Sequence, residues 1–115
     1  MQQYMLIYKG GDPAWHSSAT EAEIELQMGQ WEAWMIALSE KGQLVSGGDP
    51  LHYAGKRVTP AGDVTDIATS ELNELVSGYS IVSAESLNAA VEIAKNCPIM
   101  QHPDIIVEVR EIQQM

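Results

Sequence analysis

The five residues Tyr4-Met5-Leu6-Ile7-Tyr8 constrain this chain more than any other segment. They are short, aromatic and in part β-branched, and Gly10-Gly11-Asp12-Pro13 stops them, so they read as a first strand. Alternation sends Tyr4, Leu6 and Tyr8 to one face of the sheet and Met5 and Ile7 to the other. Both faces are apolar, so both sides of the sheet need cover at this strand. Helices supply one cover, and a partner subunit is the expected other; the competing reading is a monomer whose loops, residues 54–69 or 72–78, fold over the bare face.

Over residues 20–41 the period becomes helical: Ile24, Met28, Trp31, Met35 and Leu38 recur every three or four positions. Ser18 with Glu21, or Thr20 with Glu23, offers a capping box, and Gly42 supplies the stop. Gly29 inside the helix should cost about 1 kcal/mol relative to Ala, a cost that close approach of a backbone or a bulky ring would explain. Residues 43–48 read as a strand ending in Gly47-Gly48-Asp49-Pro50. Arg57-Val58-Thr59 and Val64-Thr65-Asp66 flank Pro60-Ala61-Gly62-Asp63, which is a hairpin signal. Residues 72–75 are too short to assign. Residues 79–82 form a further strand, and Ser83 can cap a second helix with Leu87, Ala90, Val91 and Ala94 on one face. Asn96-Cys97-Pro98 ends that helix, and residues 105–112 close the chain as a strand. Its Ile105, Val107 and Val109 share one face; Ile106, Glu108 and Arg110 share the other.

This order of elements is a split βαβ pattern. It predicts a ferredoxin-like α+β fold, a mostly antiparallel sheet with two helices on one face, in a single domain spanning residues 1–115.

Sixteen Asp and Glu against six Lys and Arg give a formal net charge of −10. Only Lys56-Arg57 are adjacent basic residues, so neither direct nucleic-acid binding nor an anionic membrane surface is expected. The longest apolar run is far below the ~18 to 20 residues that cross a bilayer. No secretory signal is visible, and a cytoplasmic location is the expectation. Cys97 is the only cysteine, which excludes an internal disulfide and a thiolate-rich zinc site.

His16, His52 and His102 sit in predicted loops without ligand spacing, so no metal or other cofactor is expected. Asp66, Glu71 and Glu74 form an acidic segment after the hairpin that could serve as acid and base, or be a solvated face. Glu108 and Arg110 share a strand face as an ion pair or as a polar lining for a cleft. Trp31 and Trp34 read as core packing, whereas Trp15, outside the periodic elements, is the candidate pocket wall or interface anchor. Gly47-Gly48 precedes Asp49-Pro50 rather than a helix, which removes a phosphate-binding reading.

The chain resembles the YCII-related proteins and, within them, the branch named for an Asp-Gly-Pro-Phe motif (the DGPF proteins). The likeness rests on the Tyr4–Tyr8 strand, on Gly42-Gln43-Leu44-Val45-Ser46-Gly47, on Gly78-Tyr79, on Cys97-Pro98 and on Val107-Glu108-Val109-Arg110. In the signature segment this chain has Asp66-Ile67-Ala68-Thr69, then Glu71, Asn73-Glu74 and Gly78-Tyr79. Asp66, Glu71, Glu74 and the Gly-Tyr pair match; the Gly, Pro and Phe of the name and a lysine are replaced. In the YciI-like branch the first helix carries a His proposed to pair with an Asp, and that position falls on Trp31, which cannot transfer protons near neutral pH. The resemblance therefore implies fold and homodimer without the catalytic pair. The function expected is a binding or accessory module of uncharacterised role, with a small molecule as the candidate ligand. The alternative is an enzyme, an isomerase or dehydrochlorinase-like lyase, using Asp66 or Glu71 with a loop His. A link of DGPF relatives to transcription would have to run through a protein partner here.

Overall fold

The computed structural model describes residues 1–67 and 72–115; the side chains of His16 and Leu72 are outside what it describes. Four strands form one antiparallel sheet in the order β2-β5-β1-β6: β1 is Gln2–Gly10, β2 Leu44–Ser46, β5 Val76–Ala84 and β6 Ile105–Glu111. The long helices are α2, Glu21–Glu40, and α3, Leu87–Lys95, preceded by a short α1 at Trp15–Ser18. This is the ferredoxin-like α+β arrangement. A separate hairpin pairs β3, Lys56–Val58, with β4, Val64–Asp66, and Gly62 takes its turn with φ +89°.

The two-faced first strand resolves as the pattern requires. Tyr4, Leu6 and Tyr8 are buried under the helices, beside Ser80, Val82 and Ala84 of β5. Complete burial of Leu6 and Val82 contributes about 1.5–3 kcal/mol each. Of the two capping boxes the structure uses Thr20 with Glu23: the Glu23 N–H donates to Thr20 Oγ1 at 3.1 Å, and the Thr20 hydroxyl donates to the Glu23 carboxylate at 3.2 Å.

Three local expectations are corrected. The α2 stripe does not hold at Met28, which is 67% exposed, whereas Trp34, read as core packing, is 8% exposed and joins Leu38 in the core. The sheet supports only the second half of α2, through Trp31, Trp34, Met35 and Leu38. Gly29 has nothing within 4 Å of where a Cβ would stand, so neither a backbone nor a ring explains it. Finally, Ser83 lies in β5, and α3 is capped by Ser86, whose hydroxyl accepts the Ala89 N–H at 3.1 Å. Its buried face is Ala90, Ile93 and Ala94, whereas Leu87 is exposed. The tail of the strand simply runs further than its apolar core.

Gly48, φ +72°, fixes the chain after β2: a Cβ there would stand 1.6 Å from the Tyr79 carbonyl oxygen. The strand-like path continues through Pro50, bridged to Gly78, and through the Leu51 N–H, which donates to the Ser77 carbonyl at 2.8 Å.

Among the described residues, no α-helix lies on the far face of the sheet. The register sets Met5 between Ile81 and Arg110, Ile7 between Tyr79 and Glu108, and Lys9 beside Ile106. Ile106 is 59% exposed. Every residue of β3 and β4 is also exposed, so the hairpin extends away from the body instead of folding into a core. The molecule is a slab of 43 × 43 × 18 Å with a radius of gyration of 15.5 Å, larger than the ~13 Å of a compact chain this long.

Candidate functional site

Lys9, the last side chain on the bare face of β1, gathers charges from distant segments. Its Nζ donates to Glu74 Oε2 at 3.2 Å and lies 3.5 Å from Glu108 Oε2. Glu74 comes from a 3-10 turn, Leu72–Glu74, held against the strand by the Gly10 N–H donating to the Leu75 carbonyl at 2.9 Å. Glu108 comes from β6, across from Ile7. The hydrogen bond that Lys9 donates to Glu74 raises the pKa of its ammonium above the ordinary range, opposed by partial burial and helped by the charge of Glu108. Next to Lys9 in the chain, the Gly10 carbonyl accepts from the Tyr53 hydroxyl at 3.3 Å; burial, then the charge of Asp12, raises that phenol. A carboxylate pair around one ammonium can orient a polar ligand or take up a proton.

Two sequence candidates, Glu74 and Glu108, therefore meet through a residue that sequence reasoning missed. Lys9 could have been found by extending the Met5 and Ile7 alternation one step further. Arg110 shares their strand face beside Met5. Asp66 does not join them: it is on β4 and ion-paired with Lys56. Glu71 lies outside the described residues. His52 is exposed in the loop before the hairpin, and His16 lies on α1 with its side chain outside the description. Among the described residues no three His, Cys, Asp or Glu side chains gather as a metal site would need.

The space between α2 and the sheet is filled. Trp31 meets Tyr8 edge-on with ring centroids 5.9 Å apart and meets Trp34 at 5.6 Å. Behind Trp31 runs a buried polar chain. The Ser80 hydroxyl donates to the Gly47 carbonyl at 2.8 Å, and the Tyr8 hydroxyl donates to Ser80 Oγ at 2.7 Å. Desolvation pushes the Tyr8 phenol far above its ordinary range and also raises the Cys97 thiol.

On the outer side of the helices, Trp15 stands edge-on to His102, centroids 5.2 Å apart, and His102 in turn contacts the Gln27 amide. Trp15 thus lines a recess of about 290 Å³ between α2 and the segment leading into β6.

Residues 3–115 match the family profile described as the YCII-related domain. No curated protein matches the chain. Among solved structures, the 5-chloro-2-hydroxyhydroquinone dehydrochlorinase of Burkholderia phenoliruptrix, in complex with 2,5-dihydroxybenzoquinone, is similar at a TM-score of 0.55 and 16% identity. The alignment covers 97% of this chain and 95% of that one. At that identity the likeness is one of fold. No helix among the described residues is long and apolar enough to cross a membrane.

Proposed function

Because this chain belongs to the YCII-related family, we propose that it is a small-molecule binding or accessory protein that works as a two-fold homodimer closed through the bare sheet face. The observation that carries this reading is the uncovered row of Met5, Ile7, Ile81 and Ile106, with no described element over it. An apolar patch of that kind is a hazard on a monomer, and a two-fold axis buries it against its own copy. The patch also suits a second copy electrically, since Glu108 and Arg110 alternate along β6 and can face each other's opposite charge across the axis. The exposed hairpin, with Val58 68% and Val64 61% exposed, is available to grip the partner. The ligand cleft would lie at the rim of that interface, around Lys9, Glu74 and Glu108. Trp31, packed against Tyr8, occupies the helix position where the YciI-like branch carries its histidine, which favours binding over proton transfer at that place. We further assign the chain to the DGPF branch, with its signature altered to Asp66-Ile67-Ala68-Thr69.

Sedimentation equilibrium at micromolar concentration should give about twice the 12.6 kDa chain mass. A soluble monomer there would overturn the dimer.

A second reading is favoured by the fold shared with a dehydrochlorinase and by two carboxylates within 3.5 Å of one ammonium. In it, Glu74 or Glu108 removes a proton from a small chlorinated compound, the C–H electrons form the new double bond, and chloride leaves with the C–Cl electrons. Asp66, held by Lys56, has no part in it. Chloride release from 5-chloro-2-hydroxyhydroquinone, abolished by Glu108→Gln and Glu74→Gln together, would establish this reading; no release above buffer would reject it.

A further inference from the structure

We propose that the β3–β4 hairpin of each protomer covers the Lys9 corner of its partner: Val58 and Val64 lie on the partner's Ile106, and Lys56 brings a second ammonium to the carboxylates around the partner's Lys9. The inference rests on the homodimer reading and adds to it that each cleft is built from two chains.

The hairpin itself lacks a cover. A lone two-stranded hairpin is marginal in water, and this one has three residues per strand, all of them exposed. Its own chain does not supply the missing layer. A hairpin laid on its own bare face would add a third layer at a spacing of about 10 Å, and the whole molecule is 18 Å thick, room for the sheet and its helices alone.

The two surfaces match. The register pairs Val58 with Val64 and Lys56 with Asp66, so alternation sets an apolar pair beside a charged pair on one face of the hairpin. On the bare side of the sheet, Ile106 is the register partner of Lys9, which sets an exposed apolar side chain beside the Lys9 cluster. There two carboxylates share one ammonium, and Glu74 is largely exposed, so the cluster carries an excess negative charge. Lys56 spends one of its three N–H donors on Asp66 and keeps the others for a second carboxylate. Position agrees with charge. The stem of the hairpin stands at the Lys9 end of β1, where the Tyr53 hydroxyl donates to the Gly10 carbonyl and the Leu51 N–H to the Ser77 carbonyl. A two-fold axis along the strands keeps like ends together, so each hairpin arrives where the partner's cluster lies.

The test is cross-linking between two different chains. Val58→Cys and Ile106→Cys, both at exposed positions, are made in separate chains, co-expressed so that mixed dimers form, and treated with a short bismaleimide; Cys97 is buried, and the unsubstituted protein is the control. A linked species of about twice the 12.6 kDa chain mass is expected from the mixture, at least about fivefold above either variant alone, since the contact joins unlike surfaces. Lys56→Glu should weaken the dimer about tenfold, and Glu74→Lys in the same chain should bring it back to within about threefold. Lys56 and Asp66 are both largely exposed, so breaking that pair alone has little effect on the fold. Sedimentation of the same mixture separates this inference from the reading beneath it. A dimer without the mixed cross-link, or with an affinity indifferent to Lys56→Glu, would overturn the hairpin's placement and leave the dimer standing; a monomer would overturn both.

Discussion

The Cys97 sulfur and the Tyr8 phenolic oxygen, 89 positions apart in the chain, meet in the core at 3.5 Å, and Cys97 is the donor. The direction follows from what lies beyond. A carbonyl only accepts, so Ser80 must spend its proton on Gly47; Tyr8 must then spend its proton on Ser80, and only the thiol is left to donate to Tyr8. One chain of hydrogen bonds thus ties the end of α3 to β1, β5 and the loop after β2.

Both acidic members of that chain are held protonated by burial, so their folded pKa values lie above the unfolded ones. The folded state then binds more protons at alkaline pH, and stability must fall as pH rises. Below about pH 8.5 this contribution is fully present; above it the unfolded thiol ionises and stability drops by at most about 1.4 kcal/mol per pH unit, with a further loss from about pH 10 as the unfolded phenol follows. Urea melts across this range should show that decline, and Tyr8→Phe should make it shallower near pH 10 while costing about 1–2 kcal/mol at neutral pH. Identical pH profiles for the two proteins would count against the account.

Gly48→Ala should be among the most damaging single changes. Its left-handed φ of +72° disfavours any side chain, and the new Cβ would collide with backbone at 1.6 Å, not with a side chain free to turn aside. A loss of about 4 kcal/mol or more is expected in chemical denaturation. A loss under about 1 kcal/mol would mean that the loop does not run against Tyr79.

Gly29→Ala should do the reverse. The position is helical, exposed and open, so alanine adds helix propensity and meets nothing. A gain of about 0.5–1 kcal/mol is expected, read as a higher urea midpoint at unchanged slope.

The contrast between these glycines shows where sequence was legible. Gly29 breaks a local rule and Gly48 obeys one, yet only the fold reveals that Gly48 touches a backbone and Gly29 touches nothing. The strands were readable because alternation is a short-range code: β1, β5 and β6 carry it in their own residues. The α2 face was not, because a helical stripe says which residues could be buried and not how far the sheet extends beneath them. Met28 continues the period past the sheet's support, and Trp34 is buried in the core cluster, edge-on to Trp31. At the candidate site, Glu74 and Glu108 were visible as charges, but their meeting at Lys9 depends on a turn packing against a strand 65 residues away in sequence.

Ile106→Asp separates a monomer from a dimer. On a lone molecule the residue is solvent-exposed, so the change should move stability by no more than about 0.5 kcal/mol. In a dimer closed through this face it sets two carboxylates in an apolar interface, and sedimentation should show the 12.6 kDa species in place of twice that mass. An unchanged dimer would move the interface elsewhere.

The sheet has two edges, and they treat a newcomer differently from the way the bare face does. β2 is only three residues long, and the chain turns at Gly48 to run on beside β5, so little ladder is left open there. β6 offers seven residues, but Glu108, Arg110 and Glu111 stand along it, and an added strand would have to match that charge sequence. Sideways growth into a ribbon is therefore blocked at both margins, while the flat apolar side remains open. In the dimer proposed above, such molecules would lie as plates face to face, and the stacking would end at two, because each plate has only one side to offer.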